Sequence, residues 1–165
     1  MKRIGITGSL ASGKSSAGKI LGKKGPVFSA DNVVKKLYSQ KRFKKYLSKK
    51  LKIANSSNLK SLIKKKILKD KSFFIKLEKI IHPLVRKEMA NFAEKHKNKK
   101  FTFFEIPLLV ESRLMKKFDK IFFIKAKRSL RLKRFKKKGG DKALFNILNR
   151  KQFSDKKKAK YCDYI

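Results

Sequence analysis

Close to the start of the chain, the nonapeptide GSLASGKSS (residues 8–16) sets Gly8, Gly13, Lys14 and Ser15 in the spacing G-x-x-x-x-G-K-[ST]. Glycines so placed let successive backbone N–H groups turn toward phosphate oxygens, the lysine reaches the terminal phosphates, and the hydroxyl is a magnesium ligand. The spacing carries this meaning only between a strand and a helix, because the helix N-terminus supplies further donors and a favourable dipole. Both are expected. KRIGIT (2–7) is β-like, and residues 14–22, with apolar Ala17, Ile20 and Leu21, form a helix stopped by Gly22. The bland alternative is a Gly/Ser-rich turn. A secretory signal is rejected, since Gly5, Thr7, Gly8 and Ser9 interrupt any apolar run after Met1-Lys2-Arg3.

The next strand arrives quickly. Residues 26–30 (PVFSA) are β-like and deliver Asp31 at a carboxyl end, and strand, helix, strand with so short a connection requires a right-handed crossover and a parallel sheet. Residues 32–97 follow a helical pattern, in which Phe73, Leu77, Ile80, Ile81, Leu84, Val85, Met89 and Phe92 repeat at helical spacing. Pro83 interrupts it, predicting a kink or two helices meeting at His82-Pro83. Residues 101–106 and 120–124 read as central strands of the same sheet. Residues 128–138 form a helix halted by Gly139-Gly140, Asp141 caps the next from 142 to about 152, and residues 161–165 enter a last strand.

The fold class that follows is α/β, a phosphate-binding loop on a central parallel sheet with an appended helical subregion; the family resemblance carried by the motifs given below implies a three-layer phosphate-loop NTPase of nucleotide-kinase type, with a helical acceptor-binding subregion and a small lid. One domain is expected, with its core at about 1–31, 99–126 and 161–165, the helical region at about 32–98 and the lid at about 127–155. A chain of 165 residues, 41% hydrophobic and holding 14 Phe, is long enough for one real core. No stretch approaches a membrane span, and one cysteine, Cys162, suits a reducing cytoplasm.

Charge points elsewhere. With 49 Lys+Arg against 11 Asp+Glu, the formal charge is +38, a field that attracts nucleic acid, anionic membrane and phosphorylated metabolites alike. A nucleic-acid-binding module is therefore the rival reading. Against it, the lysines occur in nearly every helix instead of one stripe, lysine outnumbers the base-reading arginine, and the phenylalanines fall at core-like positions. A general lysine bias accounts for the charge, so no specific nucleic-acid partner, no membrane and a monomer or weak homo-oligomer are expected.

Several residues have the chemistry of phosphoryl transfer. Lys14 and the backbone of the loop, with Gly8, Ala11, Ser12, Gly13, Ser15 and Ser16, suit a triphosphate, and Ser15 suits magnesium. Asp31, at the end of a strand beside the loop strand, falls where doubly wound sheets place ligands, although it also fits a helix N-cap. Glu105 at another strand end suits magnesium through water or a nearby lysine. Arg134, ahead of Gly139-Gly140, suits a lid that closes over ATP, or is one more cation on a basic helix. His82 has no triad partner and either lines an acceptor pocket or is structural, and Arg86 either reaches an acceptor phosphate or stays in solvent.

In order along the chain, ITGSLASGKSS, SADNVVKKLY, IIHPLVR, EIPLLVE, RLKR and the terminal Q-x-x-x-x-x-K-x-x-x-C-D-Y-I resemble the dephospho-CoA kinase family over essentially the whole chain. The resemblance implies ATP and Mg2+ as cofactors and phosphorylation of the ribose 3′-hydroxyl of dephospho-CoA, the last step of coenzyme A biosynthesis. It implies that Asp31 orients or deprotonates that hydroxyl, with Lys14 and Arg134 as catalytic cations. It also implies that His82, Arg86, Leu108 and Glu111 lie at the acceptor side, Glu111 otherwise being an exposed helix residue paired to a lysine. Three departures stand out: Lys136-Lys137-Lys138 where a further lid arginine is usual, Cys162 in an alanine's place, and Lys60 where an arginine is expected. A nucleoside or nucleotide kinase of related fold would share the loop but lack IIHP and PLLVE.

Overall fold

The computed structural model describes residues 1–54, 56 and 58–165. Two compact units make up the chain, one of Met1–Ala30 with Phe92–Ile165 and the other of Asp31–Asn91.

The first unit is built on four parallel strands, β1 (Lys2–Thr7), β2 (Val27–Ser29), β3 (Phe101–Glu105) and β4 (Lys120–Phe123), in the order β2-β3-β1-β4. β1 and β3 are interior strands, and their sequences are accordingly apolar on both faces, with Ile4, Ile6, Phe103 and Phe104 all buried. Register places Ile4 opposite Phe103 and Ile6 opposite Glu105, so the carboxyl ends of β1 and β3 finish together. Here two expectations are corrected. β2 is separated from β1 by β3, whose aromatic-rich run, with Phe103 and Phe104 buried on opposite faces, suits an interior position; and β4 is an outer strand, paired to β1 on one side and met on the other by a parallel bridge from Tyr164 to Phe122. That bridge is as much of a last strand as residues 161–165 form.

Helix α1 (Lys14–Leu21) follows the glycine-rich loop directly. The later helices of this unit are α6 (Arg128–Lys137), α7 (Lys142–Lys151) and α8 (Asp155–Ala159). Asp141 caps α7 as expected, its side chain accepting from the Leu144 N–H at 2.8 Å. α8 has no counterpart in the sequence reading: DKKKA contains one apolar residue, too few to show a period, and its start is marked by Ser154, whose hydroxyl accepts from the Lys157 N–H.

The second unit consists of α2 (Ala30–Ser39, with its first residue in the sheet unit), α3 (Lys41–Leu51), α4 (Leu59–Lys69) and most of α5 (Lys71–Lys95). Its core gathers Tyr38, Phe43, Leu47, Leu51, Leu59, Ile63, Phe73, Leu77 and Ile81. Each such leucine or phenylalanine stabilises the unit by about 1.5–3 kcal/mol, while the lysines between them remain outside. Contrary to one of the two expectations at Pro83, α5 is a single 25-residue helix that runs through it. Pro83 withholds a donor from the Lys79 carbonyl, at a cost of about 3 kcal/mol in an isolated helix. Burial of Phe73, Leu77 and Ile81 before the break and of Met89 after it outweighs it.

Candidate active site

The loop after β1 has the backbone that its glycines permit. Gly8 and Gly13 have φ of 152° and 112°, and a Cβ on Gly8 would stand 2.4 Å from the Ile124 carbonyl oxygen. Ala11 takes the left-handed region with φ 58° despite its side chain, a local strain of about 1–3 kcal/mol. Lys14 is the first residue of α1 and is only 6% exposed, with Nζ donating to the Gly8 carbonyl at 3.1 Å and the Ser9 carbonyl at 3.0 Å. A buried ammonium needs such acceptors. Two of the backbone donors between 11 and 16 are engaged within the loop, Ser12 N–H on Ser9 and Ser16 N–H on Gly13. The Ala17 N–H donates to the same Gly13 carbonyl at 3.1 Å and so begins the helical ladder of α1.

Ser15 and Glu105 meet. The Ser15 hydroxyl donates to Glu105 Oε1 at 2.7 Å, and Glu105, at the end of β3, is 4% exposed. The strand order explains the encounter, since β3 is the neighbour of β1 on that side. Among the described residues no group of three or more His, Cys, Asp or Glu gathers as a metal site. A hydroxyl and a carboxylate side by side are nevertheless the oxygen donors a hard divalent cation takes when phosphates complete its shell.

α6 grips the same loop from outside. Arg134 Nη1 donates to the Ser12 carbonyl at 2.9 Å. One helical turn earlier, Arg131 is buried, donating through Nη1 to Asn149 Oδ1 at 2.7 Å and more weakly to the Leu10 carbonyl at 3.4 Å. Its guanidinium lies 5.8 Å from the ring centroid of Phe145. Arg131 entered the sequence reading only as the first residue of RLKR and without a role, although its i, i+3 relation to Arg134 was a usable signal. The exposed Lys136, Lys137 and Lys138 close the helix without touching the loop in any hydrogen bond.

Glu111 requires a correction. It is neither exposed nor helical; it sits in a turn and pairs with the fully buried Lys158 at 2.9 Å, while Oε1 also accepts from the Phe153 N–H at 2.9 Å. Lys158 in turn donates to the Pro107 carbonyl at 3.0 Å, and Leu108 beside it is half-buried.

A sequence model described as dephospho-CoA kinase matches residues 2–165. The chain belongs to the dephospho-CoA kinase family. The dephospho-CoA kinase of Bartonella quintana is 32% identical over 171 residues, covering 100% of this chain and 88% of the relative. Among solved structures, the dephospho-CoA kinase from Campylobacter jejuni superposes with a TM-score of 0.64 at 26% identity, over 100% of this chain and 87% of that one. TT1252 from Thermus thermophilus reaches a TM-score of 0.75 at 24% identity over 99% of this chain and 86% of that one, which speaks for the fold alone. The parallel-sheet kinase fold and the kinase class read from the sequence are thus borne out, and family membership implies ATP as phosphoryl donor.

The remaining residues that the family resemblance singled out belong to the helical unit. Asp31 is exposed and lies in the first turn of α2, so it is a helix residue placed well for the N-terminal dipole and not the N-cap. Arg86 is exposed; His82, on the preceding turn, is half-buried with Nε2 3.9 Å from Glu78 Oε1. Burial, reinforced by the Arg86 charge, holds the His82 imidazole below its ordinary pKa of 6.5. The Glu78 carboxylate works the other way, but at the limit of ion-pair range it is outweighed. Lys60 places Nζ 5.7 Å from the Tyr38 ring, whose hydroxyl burial pushes up to about 12.

Proposed function

We propose that this chain transfers the terminal phosphoryl group of ATP to the ribose 3′-hydroxyl of dephospho-CoA, giving coenzyme A. The observation that carries the assignment of roles is the Ser15–Glu105 contact beside Lys14 and the left-handed loop glycines. Such a group can do one thing well, which is to hold a polyphosphate and a divalent cation together.

Loop amides between Ala11 and Ser16 take the phosphate oxygens. The Lys14 ammonium exchanges the Gly8 and Ser9 carbonyls for the β- and γ-phosphates, which are stronger, charged acceptors. Mg2+, when bound, neutralises charge on the phosphates, and Ser15 with Glu105 are the residues that would hold it. Arg134 gives up the Ser12 carbonyl for the transferring group, where a cation is worth most as charge spreads over the equatorial oxygens. Asp31 accepts the proton of the attacking hydroxyl. His82 and Arg86 serve the acceptor, and Leu108 with Glu111 shape the turn after β3 on the acceptor side. Dephospho-CoA is its small-molecule partner, with no specific nucleic acid. The half-buried Cys162, its thiol pushed up to about 11 chiefly by burial, suits the reducing cytoplasm.

The test is to incubate the protein with magnesium, ATP and a panel of dephospho-CoA, nucleosides and nucleoside monophosphates, and to follow products by mass. CoA alone is expected; phosphorylation of a nucleoside or nucleotide in its place overturns the acceptor assignment.

A further inference from the structure

Two residues near the start of the phosphate loop, Ser9 and Leu10, are held by the end of α7 and the start of α8, in contacts outside the 11–16 run. Ser9 donates its hydroxyl to Asp155 Oδ1, and the Leu10 N–H donates to Gln152 Oε1 at 2.8 Å. Thr7, fully buried at the end of β1, donates to the Pro107 carbonyl at 3.2 Å, the same oxygen that accepts from Lys158 Nζ at 3.0 Å. Lys158 is itself fully buried and paired with Glu111, which also receives the Phe153 N–H. Residues 152–158 therefore touch the loop at two points and are pinned at a third by a buried ammonium.

Chemistry says that Asp155 is there for geometry. A carboxylate next to a loop that must accept a highly charged polyphosphate opposes binding through its charge, so its presence has to be offset by what it fixes. What it fixes is the Ser9 side chain, while Gln152 satisfies an amide outside the 11–16 run. With these outer groups committed, the loop keeps its left-handed Ala11 before ATP arrives and loses less entropy on binding it.

We infer that Gln152 and Asp155 are positioning residues, a strap anchored by the Lys158–Glu111 pair that preorganises the phosphate loop for ATP. The inference rests on the kinase reading for its kinetic consequence but not for its structural one. Ser154, not Asp155, caps α8, so a purely structural role for Asp155 would be its charge in the first turn of that helix.

Three variants separate these roles. Asp155→Ala should raise the KM for ATP by about fivefold to tenfold, the scale of one net hydrogen bond, with the KM for dephospho-CoA unchanged. Amide hydrogen exchange at residues 9–12 should speed up in parallel. Asp155→Asn, whose amide oxygen still accepts from Ser9, should restore both. Gln152→Ala should reproduce the Asp155→Ala pattern. If Asp155→Asn behaves like Asp155→Ala, the helix charge is responsible and the inference fails; it fails also if loop exchange is unaltered in Asp155→Ala, or if both KM values rise together. Wild-type turnover is measured first: its absence counts against the proposed function, whereas loop exchange decides the strap with or without turnover.

Discussion

Lys14 is a buried structural cation and, in the proposed reaction, the group that takes the transferring phosphate. In the unliganded loop it is satisfied by two carbonyls, so Lys14→Ala removes a charge and its acceptors remain able to find water. Turnover is expected to fall by at least about 100- to 1000-fold, the loss seen when a preorganised charge stabiliser is deleted, with a melting temperature within a few degrees of wild type. Retained turnover in a steady-state assay removes the loop lysine from the mechanism. Asp31 poses the sharper question, because its place in the first turn of α2 gives it a structural use as well. Asp31→Asn should retain ATP binding and lose about 100- to 10,000-fold in rate, as for a missing general base. A near-normal rate together with a modest drop in melting temperature would leave only the dipole contribution, about 0.3–1 kcal/mol.

At the scale of elements, α5 combines a weak point in its backbone with a titratable group beside it. Pro83 breaks the hydrogen-bond ladder, and His82 immediately before it is half-buried near the Arg86 cation. Since the folded-state pKa of His82 is depressed below 6.5, the unfolded chain takes up the proton first as pH falls. The stabilisation from neutral His82 is thus present above about pH 6.5 and is lost as pH falls through the lower, folded value. Denaturant melts at about pH 5 and about pH 8 should show a smaller pH dependence in His82→Gln than in wild type; identical dependence would mean that His82 does not contribute. Lys120 and Asp163 make a comparable but exposed pair at β4, with Asp163 held below and Lys120 above their ordinary values mainly by their mutual hydrogen bond. Salt screens such a surface pair, and little depends on it.

The whole molecule carries +38, and how that charge acts is separable from what the site does. If the lysines are a diffuse background, RNA or DNA should bind without sequence preference and should be released steeply by salt, with a slope of about −0.9 per neutralised phosphate for duplex DNA. On the proposed assignment, ATP, taken by directed donors in the loop, and dephospho-CoA, taken on the acceptor side, should weaken much less between low and near-physiological salt. Parallel titrations decide it; tight, salt-resistant, sequence-selective RNA binding without CoA formation would transfer the function to nucleic acid. Among the described residues no helix is long and apolar enough to cross a membrane.

Local chemistry in the sequence was enough for everything that depends on neighbours along the chain: the strand, loop and helix around Gly8 to Ser16, the Asp141 cap, the helical region after Asp31, and the motifs that identify the family. These are short-range consequences of glycine φ freedom, hydrophobic period and capping. Strand order was not among them, because an aromatic-rich run such as 101–106 states that it is buried and not beside which strand. That order put Glu105 on Ser15. Tertiary structure likewise decided that Glu111 would be buried against Lys158, that α5 would survive Pro83, and that Arg131, Gln152 and Asp155 would reach a loop more than a hundred residues away. Among so many lysines and arginines no local pattern distinguishes Arg131 and Lys158 as buried; only the packing that removes their water can do so.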